Sequence, residues 1–540
     1  MKKPARTWTS NELIVLVAIF VAVFCNVGFF TSAVNALGAS TDKLIFMGAL
    51  LLQIASIFVL VLSAVCHRAL VKPLLIAFLL MSAVLTYFTI KYGTIFDHQM
   101  IANVLETDTA EAGDLFNAQL LIYVLLLGIL PSAAIWRAKL AHAPWRTETL
   151  SRLKLVTAAA CVLLATIVPF SARNASFLRE HRDVVQKVVP TYALYSVGKF
   201  ASRSLKPAGH APVVVGADAK IPPTDVHREL VVMVVGETAR ADHWGLNGHT
   251  PDTTPLLRRE NVVNFPDFWS CDTSTAKSVP CMFSNLGRAH FDRDKAIGRD
   301  NVLDVLARSG VSVLWRDNNS SSKGVADHVT YEDFKTSKLN PVCDDGECRD
   351  IGMLHNLQDY IDAQKGDILI VLHQMGNHGP AYYKRYPKEF ERFTPVCRTN
   401  DLGSCTAEEI HNTYDNAILY TDYFLSEVIG LLKRNDSRFE TAMFYVSDHG
   451  ESLGEYGMYL HAAPYALAPE AQKHVPAVMW FGEGIKHELK LDTIDERSRR
   501  RWSHDNVFAT LLGLFEISSE AYLPQLDILE HVEEQTSALH

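Results

Sequence analysis

Long apolar runs are confined to the first third of the chain. Five stretches of 17 to 23 residues contain no Asp, Glu, Lys or Arg: 13–30, 44–66, 74–90, 118–135 and 155–172. A helix that crosses a ~30 Å hydrocarbon core needs about 20 such residues. No comparable run follows residue 173. The pattern predicts a transmembrane domain of five helices over residues 1–173, followed by a large polar part.

A connector over residues 174–227 shows a mixed pattern. Its first half alternates apolar and basic side chains: Phe177, Leu178, Val184, Val185, Val188 and Val189 with Arg179, Arg182 and Lys187. This pattern indicates an amphipathic helix on the bilayer surface, although a solvated linker helix is an equal alternative. Four prolines then interrupt regular structure, Pro207, Pro212, Pro222 and Pro223.

From residue 228 to the end, short apolar runs alternate with helical ones. The predicted strands are Leu230–Val235, Val311–Trp315, Ile368–Leu372, Ala442–Val446 and Ala477–Phe481. The predicted helices include Val302–Ser309, Thr413–Leu432 and Asn506–Leu514. Such alternation favours an α/β domain, a mostly parallel sheet with helices on both faces.

The distribution of charged residues predicts how the chain is oriented in the membrane. If the N-terminus is cytoplasmic, ten cations lie on the cytoplasmic side: Lys2, Lys3, Arg6, Arg68, Lys72, Arg137, Lys139, Arg146, Arg152 and Lys154. The opposite loops carry only Lys43 and Lys91. This positive-inside asymmetry places the polar domain outside. The net charge of −9 argues against a nucleic-acid partner.

Six cysteines of the polar part form close pairs. These are Cys271 with Cys281, Cys343 with Cys348, and Cys397 with Cys405. Local disulfides in an oxidising compartment are favoured over a thiolate zinc site, whose usual C-x₂-C spacing is missing. Together with the spans, this predicts a multi-pass bacterial inner-membrane protein with a periplasmic domain. Since no association motif occurs in the spans, we expect a monomer.

Three predicted strands end in polar residues that suit a metal. Glu237 follows the first strand, His378 follows Ile368–Leu372, and Asp448 and His449 follow Ala442–Val446. The carboxyl ends of strands in an open α/β sheet form the ligand crevice, and carboxylate with imidazole suits zinc. Each residue alone could be a helix cap or a loop residue. Their joint occurrence at three strand ends favours a site.

A hydroxyl-rich loop lies between Cys271 and Cys281, with Thr273, Ser274, Thr275 and Ser278. A hydroxyl is a poor nucleophile until it loses its proton, which a nearby zinc ion promotes. A loop clamped by a disulfide would hold one hydroxyl in line with phosphorus.

These motifs resemble the lipid A phosphoethanolamine transferases, a family that includes the mobile colistin-resistance enzymes. The resemblance covers essentially the whole chain, and its longest motifs are Val235–Arg240, Thr273–Thr275 with Ser278–Ser284, Asn377–Pro380 and Ser447–Gly454. It implies a periplasmic domain of alkaline-phosphatase/sulfatase-like fold. It also implies a zinc ion held by Glu237, Thr275, Asp448 and His449.

By the same resemblance, Thr275 attacks the phosphorus of phosphatidylethanolamine and releases diacylglycerol. The phosphoethanolamine then passes from Thr275 to a phosphate of lipid A, which protects against polymyxins. His378 and His461 would bind the donor headgroup or a second zinc, and Lys323 would contact phosphate. Asn103, Thr107 and Glu111 match a lipid-headgroup pocket, and their spacing predicts one helix face.

The chain departs from the family pattern at several positions. Asp272 stands where the family usually has Gly, and Ser322 and Ala326 stand where many relatives have a disulfide. A C-terminal Cys pair found in some relatives is missing as well. Three disulfides rather than five are therefore expected.

Other functions remain open at this stage. The same fold could transfer phosphoethanolamine to a core sugar of lipopolysaccharide or to another periplasmic glycan. A sulfatase-type hydrolase is disfavoured because Thr275 cannot become formylglycine. A membrane-tethered binding module would need the spans and disulfides, but not Glu237, Asp448 and His449 together.

Overall fold

The computed structural model describes residues 6–37, 41–66, 70–107, 109–141, 143–204, 213–296, 298–344, 346–486 and 491–529. The chain divides into two compact units. The first, here the helical unit, comprises Met1–Leu105 and Phe116–Leu205. The second, here the sheet unit, comprises Glu106–Leu115 and Lys206–His540. The finer predicted boundaries at residues 173 and 227 stay a prediction.

The helical unit contains four helices long and apolar enough to cross a membrane, α3 to α6. They follow a bent pair of shorter helices, α1 and α2. The bounds are α1 Ser10–Phe20, α2 Val27–Leu37, α3 Thr41–Val65, α4 Val71–Lys91, α5 Ala118–Arg137 and α6 Trp145–Ile167. If the bent pair counts as one span, the described residues hold five candidate spans, as the sequence predicts.

The first predicted span is not one straight helix. Helix α1 continues as a π-helical turn to Cys25, and α2 then leaves at 52°. Asn26 sits at the break, buried, and its amide group donates to the carbonyls of Val21 and Val189. Because this side chain satisfies the Val21 carbonyl, which a continuous helix would bond internally, and also bonds the backbone of Val189, it stabilises the bend.

The connector forms three helices, Ser171–Glu180, Arg182–Val185 and Thr191–Ser204, and all belong to the helical unit. The apolar side chains Phe177, Val184 and Val189 are buried in the core of that unit. Leu178 of the same apolar set is exposed, and the choice between a helix on the bilayer surface and a solvated linker helix stays a prediction.

The sheet unit is built on eight strands. They are β1 Glu229–Gly236, β2 Val263–Trp269, β3 Ser312–Asp317, β4 Thr330–Asp333, β5 Ile368–His373, β6 Glu440–Ser447, β7 His474–Phe481 and β8 Trp502–Ser503. Their spatial order is β8-β2-β7-β6-β1-β5-β3-β4. The five strands from β6 to β4 are parallel, and β7 runs antiparallel to both of its neighbours.

Helices cover both faces of this sheet. The longer ones are α7 Thr275–Met282, α8 Val302–Ser309, α9 Leu357–Ala363, α10 Ala407–Asn435, α11 Leu491–Ser498 and α12 Val507–Leu514. Short helical turns occur at Gly287–His290, Arg293–Ala296 and Glu483–Lys486. The predicted α/β class and all five predicted strands are confirmed.

The central strand β1 shows why the sheet is buried on both sides. Val231, Met233 and Val235 pack with α8 and α12, whereas Leu230, Val232 and Val234 pack with α9 and α10. Alternate side chains of a strand point to opposite faces. The continuous apolar run of β1 thus supplies two hydrophobic cores at once, as is typical of a parallel strand.

The three predicted disulfides of the sheet unit are confirmed. The bonded pairs are Cys271 with Cys281, Cys343 with Cys348, and Cys397 with Cys405. Cys343 and Cys348 face each other across a small two-stranded hairpin. Cys397 and Cys405 join the ends of the loop that leads into α10. Each disulfide thus closes a short loop, and the alternative of a thiolate zinc site is wrong for these cysteines.

Candidate metal centre

Two neighbouring strands bring the predicted acidic and imidazole groups together. Strands β1 and β6 are parallel, with Gly236 opposite Ser447, and the Asp448 N–H donates to the Gly236 carbonyl at 2.9 Å. Glu237 and Asp448 therefore leave the sheet at the same edge, 211 residues apart in sequence. Glu237, Asp448 and His449 each offer a ligand atom, and these atoms lie within 4.8 Å of one another. All three side chains are buried.

The Thr275 hydroxyl lies beside this cluster. Its Oγ1 is 3.2 and 3.4 Å from the carboxylate oxygens of Glu237 and 3.2 Å from Nε2 of His449. Thr275 is the first residue of α7, where the helix dipole favours negative charge. The Cys271–Cys281 disulfide closes the loop that leads into this helix. The loop and helix thus present one hydroxyl to the carboxylates.

Hydrogen bonds fix the orientation of the carboxylates. Glu237 Oε2 accepts from the side-chain amide of Asn319 at 2.7 Å. Asp448 Oδ1 accepts from the backbone N–H groups of Thr238 at 3.2 Å and His449 at 2.7 Å. Gly376 has a φ of +52°, and a Cβ there would lie 2.8 Å from the Glu237 carbonyl oxygen. Glycine is therefore required where this loop crosses Glu237.

The centre has the features of a cation site. Asp448 Oδ2 is buried and has no hydrogen-bond partner among the described residues. Burial raises the pKa of the Asp448 carboxyl and lowers the pKa of the His449 imidazole well below its ordinary value. An unsatisfied buried carboxylate oxygen is costly, and a neutral imidazole keeps a lone pair for a metal. Two carboxylates, one imidazole and a hydroxyl form a donor set that fits zinc.

His504 and Ser278 support the centre from behind. His504 Nδ1 accepts from the Cys271 N–H at 3.0 Å, and His504 Nε2 is 2.9 Å from the Ser447 carbonyl. Ser278 donates to the Asp448 carbonyl at 2.5 Å. Burial lowers the pKa of His504 to about 3, so the ring stays neutral and bridges the two loops. The sequence pattern indicates Ser278 only as one of several loop hydroxyls and gives no signal for His504.

His378 and His461 lie next to His449. The ring centres of His449 and His461 are 4.4 Å apart, and those of His378 and His461 are 5.3 Å apart. His461 Nδ1 is 3.3 Å from Oε1 of Glu451, whose Oε2 is buried without a hydrogen-bond partner among the described residues. The structure thus brings His378 and His461 to the centre, together with Glu451.

Lys323 lines a cavity of about 680 Å³ with Pro280, Ser284, Arg299 and Asn301 among its walls. Its ammonium donates to the Ser320 hydroxyl at 2.7 Å. The residue follows Asn319 in the same loop, and Asn319 contacts Glu237. Lys323 therefore belongs to the loop that supplies an amide to the centre.

The expectation of one helix face for Asn103, Thr107 and Glu111 is wrong. A helix ends at Glu106, Thr107 is not helical, and a second short helix covers Thr109–Asp114. Asn103 belongs to the helical unit, whereas Thr107 and Glu111 belong to the sheet unit. The side chain of Glu111 lies outside the described part of the structure. The i, i+4, i+8 spacing therefore does not define a shared surface, because the helix is interrupted.

The segment Glu106–Leu115 contacts the rest of the sheet unit through a buried ion pair. Asp114 is paired with Arg385 and Lys384, and Arg385 also pairs with Glu347 at 2.6 Å. The Nε of Arg385 donates to the His378 carbonyl at 2.6 Å. Asp114, from the first third of the chain, thus pairs with the Arg385 side chain, which in turn donates to the backbone of His378.

Asp272 is the departure from the family pattern next to the hydroxyl-rich loop. It is buried and forms an ion pair of 2.6 Å with Lys277. Asp272 is not among the residues with positive φ, so its backbone is not strained. The added carboxylate is therefore balanced by a cation in the first turn of α7.

Comparisons with known proteins agree with this architecture. A sulfatase family model matches residues 229–517, which contain the sheet and the centre. A second family model, phosphoethanolamine transferase EptA/EptB, matches residues 54–205. The fold and the site therefore define a membrane protein with a sulfatase-like domain.

Relatives cover nearly the whole chain. Phosphatidylethanolamine transferase Mcr-2 of Escherichia coli is 43% identical over 517 residues, 93% of this chain and 94% of the relative. Phosphoethanolamine transferase EptA of Escherichia coli strain K12 is 36% identical over 528 residues, 96% of each chain. The integral membrane lipooligosaccharide phosphoethanolamine transferase A from Neisseria meningitidis superposes with a TM-score of 0.93 at 36% identity, covering 97% of this chain and 99% of its own. The chain belongs to the phosphoethanolamine transferase family.

Proposed function

We propose that the protein transfers phosphoethanolamine from phosphatidylethanolamine to a phosphate of lipid A through a covalent intermediate on Thr275. The observation that carries the proposal is the position of Thr275 Oγ1. It lies 3.2 to 3.4 Å from both oxygens of Glu237 and from Nε2 of His449 in a buried site. The neighbouring hydroxyls bond elsewhere, Thr273 to the Ala463 carbonyl and Ser274 to Asp272.

Glu237, Asp448, His449 and Thr275 are the residues that would hold a zinc ion. The bound ion supplies positive charge that favours the deprotonated hydroxyl and balances charge on phosphate oxygens. Asp448 Oδ2 lacks a hydrogen-bond partner among the described residues, and burial keeps His449 neutral, so both groups are prepared for this role. His378, His461 and Glu451 form the adjacent group for a second ion or for the donor headgroup.

The residues of the chain would divide the reaction into two steps. The Thr275 hydroxyl donates its proton toward Glu237 Oε2, and its oxygen attacks the donor phosphorus. An O–P bond forms as the P–O bond to diacylglycerol breaks, and the proton held by Glu237 passes to the diacylglycerol oxygen. An oxygen of a protonated lipid A phosphate then attacks the same phosphorus. The P–O bond to Thr275 breaks, and the proton of that phosphate returns through Glu237 to the Thr275 oxygen. Asn319 holds the Glu237 carboxylate throughout, and Lys323 meets the incoming phosphate.

The helical unit has an apolar surface suited to two lipid substrates. Apolar side chains of α5 are half exposed, including Leu121, Ile122, Leu125 and Leu126, as contact with acyl chains requires. We propose a monomeric, multi-pass protein of the bacterial inner membrane with its sheet unit in the periplasm. The disulfides and the positive-inside charge asymmetry support this orientation. Donor and acceptor lipids would both be present there.

Resistance to polymyxins would follow from the chemistry of the product. Polymyxins are cationic and bind the phosphates of lipid A electrostatically. Adding an ethanolamine cation to a phosphate weakens that attraction. Expression of the protein should therefore raise the polymyxin concentration that inhibits growth.

The intermediate provides the test. Purified full-length protein is incubated with phosphatidylethanolamine without acceptor, and its intact mass is measured. We expect the mass of one phosphoethanolamine group on the wild-type chain and none on Thr275→Val, which keeps the side-chain shape. Ser274→Ala removes the neighbouring hydroxyl and should still be labelled. Labelling of Thr275→Val would contradict the proposal.

The acceptor is tested separately by mass spectrometry of lipid A from expressing cells. We expect lipid A heavier by one phosphoethanolamine group with wild-type protein and unmodified lipid A with Thr275→Val. Labelled Thr275 with unmodified lipid A would instead assign the acceptor to a core sugar or another glycan.

A further inference from the structure

A second group of metal-competent side chains lies outside the candidate centre. His243, His249 and Asp415 each offer a ligand atom, and these atoms lie within 4.8 Å of one another. His243 Nδ1 is 2.6 Å from Asp415 Oδ1, and His249 Nε2 is 3.0 Å from Asp415 Oδ2. His243 and Asp415 are buried, and the His249 side chain is 15% exposed. One imidazole therefore faces each oxygen of a single carboxylate.

A further imidazole lies next to this group. His411 precedes Asp415 by one turn of α10, and residues four apart share a helix face. The ring centres of His411 and His243 are 5.1 Å apart, and those of His243 and His249 are 4.6 Å apart. Three imidazoles and a carboxylate are therefore gathered from the β1–β2 connection and from α10.

We propose that His243, His249 and Asp415, completed by His411, bind a divalent transition-metal ion of the zinc class at a site separate from the candidate centre. Imidazole nitrogen with one carboxylate oxygen is a donor set typical of zinc, whereas calcium and magnesium prefer oxygen ligands. Ligand bonds of about 2.0 to 2.2 Å in a tetrahedral site place neighbouring donor atoms roughly 3.3 to 3.6 Å apart. The observed separations of 2.6 and 3.0 Å would therefore widen when the ion replaces the hydrogen bonds.

The position of the group gives the ion a structural role. The Tyr414 hydroxyl donates to the Thr238 carbonyl at 2.5 Å. Tyr414 is adjacent in sequence to Asp415, and Thr238 is adjacent to Glu237. Asp422, two turns further along α10, accepts from the N–H groups of Leu256 and Leu257 at 2.9 Å. An ion at Asp415 would strengthen the attachment between α10 and the β1–β2 connection, which also includes the ion pair of Lys433 with Glu260. This role does not depend on the proposed transferase activity.

Metal binding to the full-length protein in detergent provides the test. Chelator-treated wild-type protein, His249→Gln and His355→Gln are titrated with Zn²⁺, and bound metal is counted after buffer exchange. His355 is an exposed histidine outside the group, so it serves as the matched control. We expect His249→Gln to bind about one equivalent less than wild type, and His355→Gln to equal wild type. Equal zinc content in all three proteins would overturn the proposal.

A second variant and a second metal ion keep the proposal testable even if His249→Gln misfolds. His411→Gln removes an imidazole without breaking the two contacts to Asp415, and it should weaken zinc binding at this site about 10- to 100-fold. Co²⁺ is then substituted, because its visible spectrum reports the number and kind of ligands. The Glu237→Gln protein should keep the part of the Co²⁺ spectrum that His411→Gln alters. A spectrum unaffected by His411→Gln would also overturn the proposal.

Discussion

The two clusters at either end of the segment 237–249 use similar side chains in different proportions. The centre at Glu237 contains two carboxylates and one imidazole, whereas the group at Asp415 contains one carboxylate and two imidazoles in direct contact with it. One oxygen of Asp448 has no hydrogen-bond partner among the described residues, but both oxygens of Asp415 accept hydrogen bonds. The first cluster therefore has a buried carboxylate oxygen that is left unsatisfied, and the second does not.

This difference means that the first cluster requires a cation, whereas the second cluster can bind one but is also satisfied without it. Burial raises the pKa of Asp448 and lowers that of His449. A proton on the Asp448 carboxylate would neutralise it but would occupy an oxygen that a metal ion needs as a ligand. Burial would also raise the pKa of Asp415, but the hydrogen bonds from His243 and His249 outweigh burial and lower it. A metal ion at the second cluster would thus replace hydrogen bonds that Asp415 already has.

The largest expected effect is at the first cluster. Glu237→Ala removes a carboxylate from the centre and the partner of the Thr275 hydroxyl. Activity should fall by roughly 10²–10³-fold or more, and the zinc equivalents at this centre should be lost. His449→Ala should behave similarly. The zinc is counted in proteins that also carry His249→Gln, so that only the first cluster contributes. One equivalent of zinc bound by Glu237→Ala in this background would contradict the assignment.

An intermediate effect is expected from Asn319→Ala. The Asn319 amide donates to Glu237 Oε2 and to the Gln374 carbonyl, neither of which belongs to the second cluster. Loss of such a support should weaken zinc binding at the first cluster about 10- to 100-fold. Zinc bound in competition with a chelator of known affinity measures the change. An equal loss at the second cluster would show that the two clusters are not independent.

A change in pH dependence is expected from Asp422, which anchors the same connection as Asp415. Burial raises its pKa to about 7, despite two backbone N–H groups that favour the carboxylate. The folded protein therefore binds a proton that the unfolded chain releases near pH 4. Stability from this group is present at low pH and is lost as pH rises toward 7, by an amount of order a few kcal/mol.

Asp422→Asn should remove this dependence. Thermal unfolding of wild-type and variant protein is compared between pH 5 and 8, and the stability of the wild type relative to the variant should fall as pH rises. Asp415, whose pKa is lowered, would give no loss over this range. A constant difference would mean that Asp422 is ionised throughout.

The smallest effect is expected at Asp272. Its charge is balanced by Lys277, and it is not among the grouped metal-competent residues. Asp272→Gly should leave zinc content unchanged and alter the free energy of unfolding by about 1 kcal/mol. Lys277→Met should be more destabilising, because it leaves the buried carboxylate without its cation. Equal effects from both variants would show that the pair is energetically neutral.

The sequence predicts the first cluster better than the second because strand ends are visible in the hydrophobic pattern. Glu237, Asp448 and His449 each follow an apolar run, so the rule for parallel sheets brings them together. Asn319 follows a strand, but one amide gives no signal by itself. His243, His249 and Asp415 come from a connection and a helix, and only their tertiary packing places them in contact.

Strand β2 shows a second limit of the pattern. Pro266 argues against a strand in the interior of a sheet, because proline lacks the N–H for the ladder. The structure accommodates it at an irregularity, where the pairing register between β2 and β7 shifts between Val475 and Ala477. The neighbouring strand β8 is only two residues long and pairs with Phe268 and Trp269. Proline is tolerated here because hydrogen bonding is locally interrupted.

The ion pair between Asp114 and Arg385 has a consequence for how the sheet unit is studied in isolation. A fragment that begins after residue 205 would lack Asp114, while Arg385 and Glu347 would remain. The buried guanidinium that holds the His378 carbonyl would then lose one of its two carboxylates. Measurements of headgroup binding on such a fragment would concern an altered His378 loop, whereas those on the complete chain would not.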